Sequence, residues 1–234
     1  FNSTLTASQV STLYNGGTPE TAISFSPVSW WKLDTGGSTI TDYGSGGNNG
    51  TNNGTATQVT SDVLATQPVN GVSTTLPSTA LQQSDLQFDS PYSNYSLSFD
   101  GAGDYIDTNY IFPTISTWSY SYWVNITDPG NSNYFYQVTA RNSSTTGLII
   151  WSGNGSASSQ RNFTAKINST AITFSVASFA TWYNVVITGD GSNLTAYVDG
   201  TQVATTAIST LFPTLTYTTK IGSNKDGTNY FLNG

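Results

Sequence analysis

The chain has 234 residues, of which 36% are hydrophobic, 13% aromatic and only 8% charged, with a net charge of −7. Six Lys plus Arg make no basic patch for nucleic acid, and no apolar run approaches the roughly 20 residues that cross a membrane. The absence of Cys and His excludes a disulfide framework, zinc held by thiolates or imidazoles, and Ser-His-Asp or Cys-His catalysis.

The first predicted element is a helix in "LTASQVSTLYNGG", Leu5 to Gly17. Thr6 and Gln9 have the spacing of a capping box, and Leu5 and Val10 that of a hydrophobic staple. Val10, Leu13 and Tyr14 share a face, and Gly16 and Gly17 end the helix after two to three turns. Residues 18–27 read as a linker, and Val28 to Asp34, "VSWWKLD", as a buried strand with Trp30 in the core. A Gly/Asn-rich turn region follows around a short strand at Thr39 to Thr41. Residues 61–92 hold three Pro without clear periodicity and read as an inserted arm.

From Asn94 onward strands recur at short intervals: "YSLSF", "DYIDT", "WSYSYWVNI", "YFYQVTA", "LIIW", "NFTAKI", "AITFSV" and "WYNVVIT". In the third of these, Trp118, Tyr120, Tyr122, Val124 and Ile126 share one face, and Trp123 lies on the other. Trp182 is assigned to the core. "LTAYVDGTQVATT" is a hairpin whose Asp199-Gly200 pair fits a type I′ turn. The chain closes with "TTKIGS" and "NYFLNG", the last an Asn-Gly hairpin signal. Strands rich in Tyr, Trp, Phe and Thr, punctuated by Gly and Asn, predict an all-β sandwich or barrel.

Several of these stretches, in order, resemble laminin-G-like modules of the concanavalin A-like lectin/glucanase superfamily. They are "VSWWKLDTGGSTITDYGSGGNNGTNNG", "LSFDGAGDYIDT", "WSYSYWVN", "WYNVVITGDGSNLTAYVDGTQV" and "KIGSN". The resemblance covers residues 28–234 apart from the 61–92 insertion. It implies a jelly-roll sandwich of two antiparallel sheets, as found in tandem repeats of surface and phage structural proteins. Such modules usually finish with a turn, a strand of the form Ile-Asp-Glu-Val-Arg-Ile-Tyr and a short helix. By that likeness residues 1–17 look like the strand end and helix of a preceding repeat. The implied partners are neighbouring copies set head to tail, as a covalent array or by strand addition between subunits.

The superfamily includes glucanases, but retaining glycosidases need a carboxylate pair. The laminarinase-like members carry theirs as Glu-x-Asp-x-(x)-Glu on one strand, and this chain has one glutamate, Glu20, in the linker. A non-catalytic role follows. Asp100, Asp104 and Asp107 supply hard oxygens at loop spacing, which suits Ca²⁺; Asp34 and Asp226 are further candidates. The bland alternative is that Asp beside Gly forms turns. For glycans, Trp123, Tyr134, Tyr136 and Trp151 are the candidate stacking rings, against the alternative that they fill the core. Ten Asn-x-Ser/Thr sequons, among them Asn125 and Asn142, are potential glycan acceptors on a secretory route. The expected role is a structural and adhesive, glycan-binding module at an extracellular, cell or virion surface. The rivals are a carbohydrate-binding module of a secreted polysaccharide-degrading enzyme and a ligand-free spacer.

Overall fold

The computed structural model describes residues 1–17, 20, 22–33, 37–54, 56–60, 95–127, 134–153, 162–208 and 212–234. The arm at 61–92 and the Asp34 turn lie outside the described residues.

Helix α1 spans Ala7–Tyr14 and begins as its capping box requires. Thr6 Oγ1 accepts from Gln9 N–H at 3.2 Å, and Gln9 Oε1 accepts from Thr6 N–H at 2.9 Å. It stops at Asn15, which takes the left-handed conformation (φ 45°) one residue before the glycines. Leu5, Val10 and Leu13 are buried against Val186 and Tyr197 of this chain's own sheet.

The strands are β1 (Thr39–Ile40), β2 (Gly50–Asn53), β3 (Thr57–Thr60), β4 (Tyr95–Ser98), β5 (Tyr105–Asp107), β6 (Trp118–Val124) and β7 (Tyr134–Ser143). The series continues with β8 (Thr146–Gly153), β9 (Asn162–Ile167), β10 (Thr170–Ser175), β11 (Tyr183–Gly189), β12 (Asn193–Val198), β13 (Thr201–Ala207) and β14 (Lys220–Ile221). They form an antiparallel jelly-roll sandwich. One sheet has eight strands in the order β1-β2-β5-β14-β7-β8-β9-β10, and the facing sheet has four, β13-β12-β11-β6. A separate pair is formed by β3 and β4. The β12–β13 hairpin turns through Asp199 (φ 49°) and Gly200 (φ 75°), both positive as a type I′ turn demands.

The core lies between the sheets. The predicted inward row of β6 is observed: Trp118, Tyr120, Tyr122, Val124 and Ile126 all face it. Trp118 is fully buried, edge-on to Phe212 at 5.6 Å and seated where a side chain on Gly189 would collide with its indole.

Two expectations are corrected. Val28 to Leu33 is not a strand; Trp31 makes one isolated bridge to Asp42. A buried carboxylate takes the place of a neighbouring strand here. Asp42 accepts from the backbone N–H groups of Trp30, Gly44 and Asn48, each at 2.7 Å. Nor are Trp30 and Trp182 core residues. Both are half-buried along a cleft beside β6, Trp30 with the Lys32 ammonium 4.5 Å from its ring centre. At the other end of the chain, Asn233 makes an isolated antiparallel bridge to Asp100.

Candidate functional site: an aromatic platform on the eight-stranded sheet

Strand β7 carries a bulge. Tyr136 pairs with Trp151 and Val138 with Ile150, leaving Gln137 as the extra residue. Its side chain turns inward, where Gln137 Oε1 accepts from the Tyr122 hydroxyl, and Phe135, Val138 and Ala140 pack on the core. The bulge therefore lets Tyr136 face outward although Val138, two residues on, faces in. Tyr134 and Trp151 share that outer face, since none of the three packs against the core.

Tyr136 is the middle of a ladder of rings. Tyr230 stacks on it at 4.6 Å with the planes 17° apart, and Trp151 lies 6.4 Å away at 48°. The Arg141 guanidinium sits 5.4 Å from the Tyr136 centroid, and its buried Nε has no acceptor among the described residues. Tyr136 is half-buried, whereas Tyr134 is 43% and Tyr230 47% exposed, so the free ring surface belongs to these two. Tyr230 is fixed from its backbone: its carbonyl accepts from Tyr136 N–H at 3.0 Å, and its φ is 60°. Next to it Asn224 holds the 224–229 turn, accepting from Thr228 N–H at 2.9 Å.

Three of the four rings predicted from sequence thus come together. Trp123 does not join them. It lies on the outer face of the other sheet, stacked on Tyr14 of α1 at 6.2 Å. Tyr230 and Arg141 are platform members that sequence reasoning missed. Simple alternation from Tyr134 and Tyr136 puts Arg141 on the opposite face, so its place beside Tyr136 depends on the Gln137 bulge, and nothing in the sequence signals that bulge or the fold-back of Tyr230.

The aspartates are each engaged elsewhere. Asp100 Oδ1 accepts from Ala102 N–H, closing its own turn. Asp104 is buried and accepts from Asp100 N–H at 3.3 Å. Asp107 pairs with the buried Lys220 ammonium at 2.7 Å. Burial raises the Asp107 pKa, but bonds from Lys220, Thr218 and the Asn109 N–H outweigh it and leave the carboxyl below its ordinary 3.8. Asp226 pairs with Lys225 at 2.6 Å. Among the described residues no three acidic side chains gather as one donor set, so Asp100, Asp104 and Asp107 do not fit Ca²⁺ as a group. No described helix is long and apolar enough to cross a membrane.

The sequence profile of the concanavalin A-like lectin/glucanases superfamily matches residues 100–234, more than half of the chain. The chain belongs to this superfamily. No curated protein sequence matches it. Among solved structures it is similar to botulinum neurotoxin type C, which enters cells in a manner dependent on two ganglioside molecules. Identity there is 14% and TM-score 0.51, over 88% of this chain and 43% of that one. It is also similar to a candidate carbohydrate-binding protein of Bacteroides ovatus (14% identity, TM-score 0.46, 61% and 45% covered). A carbohydrate-binding module of Bacillus subtilis matches over 55% of this chain and 82% of its own, at 13% identity and TM-score 0.33. The chain spans less than half the length of the first two. These likenesses concern the fold.

Proposed function

We propose that this jelly roll is a non-catalytic glycan-binding module that works at an extracellular, cell or virion surface, in head-to-tail contact with further copies. One observation carries the glycan reading: the outer face of β7–β8 presents Tyr134, Tyr230 and Trp151 around a ring, Tyr136, that is itself held in place. Pyranose faces stack on such exposed rings, and a few fixed polar groups set orientation. The Arg141 guanidinium, beside the Tyr136 ring, is the charged group assigned to a sugar oxygen in this reading. Superfamily membership supports the reading without fixing the ligand.

The test is a glycan array followed by calorimetry on the best binder. Tyr230→Ala and Trp151→Ala are expected to weaken binding at least tenfold, while Trp123→Ala, on the opposite sheet, leaves it unchanged. An array without binders, or equal loss from Trp123→Ala, overturns the platform in favour of a spacer. The head-to-tail part is tested by intact mass of the protein isolated from its source. Multiples of the 24.9 kDa unit are expected if the copies are covalent. A lone unit that stays monomeric at high concentration overturns it.

A further inference from the structure

We infer that the aromatic platform continues into a cationic end, formed by Arg141 and Lys166, and that the outer face of β7–β9 therefore takes an anionic polysaccharide, one bearing carboxylate or sulfate groups. The inference rests on the platform reading above and adds the charge class of its ligand.

The strand ladder places both cations on the face of the rings. Val138 and Ala140 pack on the core, so Thr139 and Arg141 point outward. Thr139 pairs with Ile149, and Ile149 with Lys166 of β9, so Lys166 shares that side. Its neighbours Ala165 and Ile167 belong to the core, as the alternation of β9 requires. Gly147, opposite Arg141, adds no side chain there. By the strand spacing, the Cα atoms of Arg141 and Lys166 are roughly 12 Å apart across β8, and two side chains of that length can converge on one ligand. The Lys166 ammonium donates to the Ser144 carbonyl at 3.1 Å, in the β7–β8 turn just past Arg141, so it leans toward that residue. At its other side the Arg141 guanidinium is 5.4 Å from the Tyr136 centroid. Rings and charge are therefore continuous along one face.

Neither charge is neutralised by the described residues. The Arg141 guanidinium makes no hydrogen bond or ion pair among them. Its Nε is enclosed without an acceptor, whereas its two Nη nitrogens, also without one, are not enclosed. That leaves the end of the fork open, and its parallel N–H groups match two oxygens of a carboxylate or a sulfate. Lys166 likewise has no carboxylate partner among the described residues. Two other cations show the contrast: Lys220 is paired with Asp107 at 2.7 Å and Lys225 with Asp226 at 2.6 Å. The chain as a whole carries −7 and has only six Lys plus Arg, so its surface at large repels a polyanion. A face that keeps two cations free of carboxylates is where such a polymer can settle. Oriented charges beside stacking rings then select it over a neutral chain of the same sugars.

The test is calorimetry of the 234-residue protein against two matched pairs: oligogalacturonate with its carboxyl-reduced form, and dextran sulfate with dextran. The charged member of at least one pair is expected to bind at least tenfold more tightly than its neutral counterpart, and the pair that does so tells carboxylate from sulfate. That binding should weaken as salt rises from about 0.05 to about 0.5 M. Arg141→Gln should cost at least tenfold in affinity for the charged member and Lys166→Gln a smaller part. The double variant should no longer tell the two members apart. Lys32→Gln, at a cation held over Trp30 and Tyr43, should change nothing. An equal loss from Lys32→Gln means diffuse attraction and overturns the inference. So does binding by none of the four, or equal affinity within both pairs. If that equal affinity still falls with Tyr230→Ala, the charge class alone is lost and the platform stands. Anion binding that Tyr230→Ala does not weaken overturns the platform and this inference with it.

Discussion

The two sheets use the same kind of residue to opposite ends. On β6, Trp118, Tyr120 and Tyr122 point into the core on a strand that ends its sheet among the described residues. On β7 and β8, Tyr134, Tyr136 and Trp151 sit on strands laddered on both sides and point away from the core. Aromatic content alone does not separate a core-filling row from a recognition surface. What separates them is the phase of the strand, and on β7 a one-residue bulge sets that phase.

The contrast can be broken most severely at Trp118. Trp118→Ala removes the largest fully buried side chain from β6 and is expected to cost about 3–5 kcal/mol in denaturant unfolding. Trp151→Ala, half-buried on the outer face, should cost less than about 1 kcal/mol. Comparable losses would erase the distinction between the sheets.

The next largest effect lies where β14 joins β5. Asp107→Ala leaves the buried Lys220 ammonium without its counter-charge. It is expected to cost about 2 kcal/mol, less than a fully enclosed pair because the Asp107 side chain is 25% exposed. The acid dependence has a defined sign. The Asp107 carboxyl is held below its ordinary 3.8, so its stabilisation is complete above that value and is lost as the pH falls through the lower native one. Asp107→Asn should remove this component from the acid transition, measured as Tm against pH between about 2 and 5.

Smaller again is the cap of α1. Thr6→Ala is expected to cost about 1 kcal/mol, and Thr6→Ser close to nothing, in the same unfolding measurement.

Local chemistry was legible where its partners are near in sequence. The Thr6–Gln9 box, the Asp199-Gly200 turn and the alternation of β6 each depend on residues within a few positions, and each is found as read. The segment Val28 to Leu33 was misread because its hydrogen bonds end on the Asp42 side chain, and apolar runs give no sign of that. Of the platform, Tyr134, Tyr136 and Trp151 are legible only one by one as candidate rings; the register that sets Tyr136 opposite Trp151 is not. The Gln137 bulge and the stacking of Tyr230 come from long-range packing, and no local pattern announces them. Of the three candidate aspartates, Asp104 stays beside Asp100 while Asp107 turns away to Lys220, for a related reason. Close spacing in sequence does not bring side chains together when alternate residues of a strand such as β5 face opposite sides.

Phe1 exchanges backbone bonds with Ser119 of β6, and Gly234 with Phe99 just after β4, so both end residues are anchored by ladder bonds to distant strands. A tag or fusion joined directly to either residue would meet the sandwich rather than open solvent, whereas the exposed β9–β10 turn beside Ser169 is a site where an insertion meets nothing.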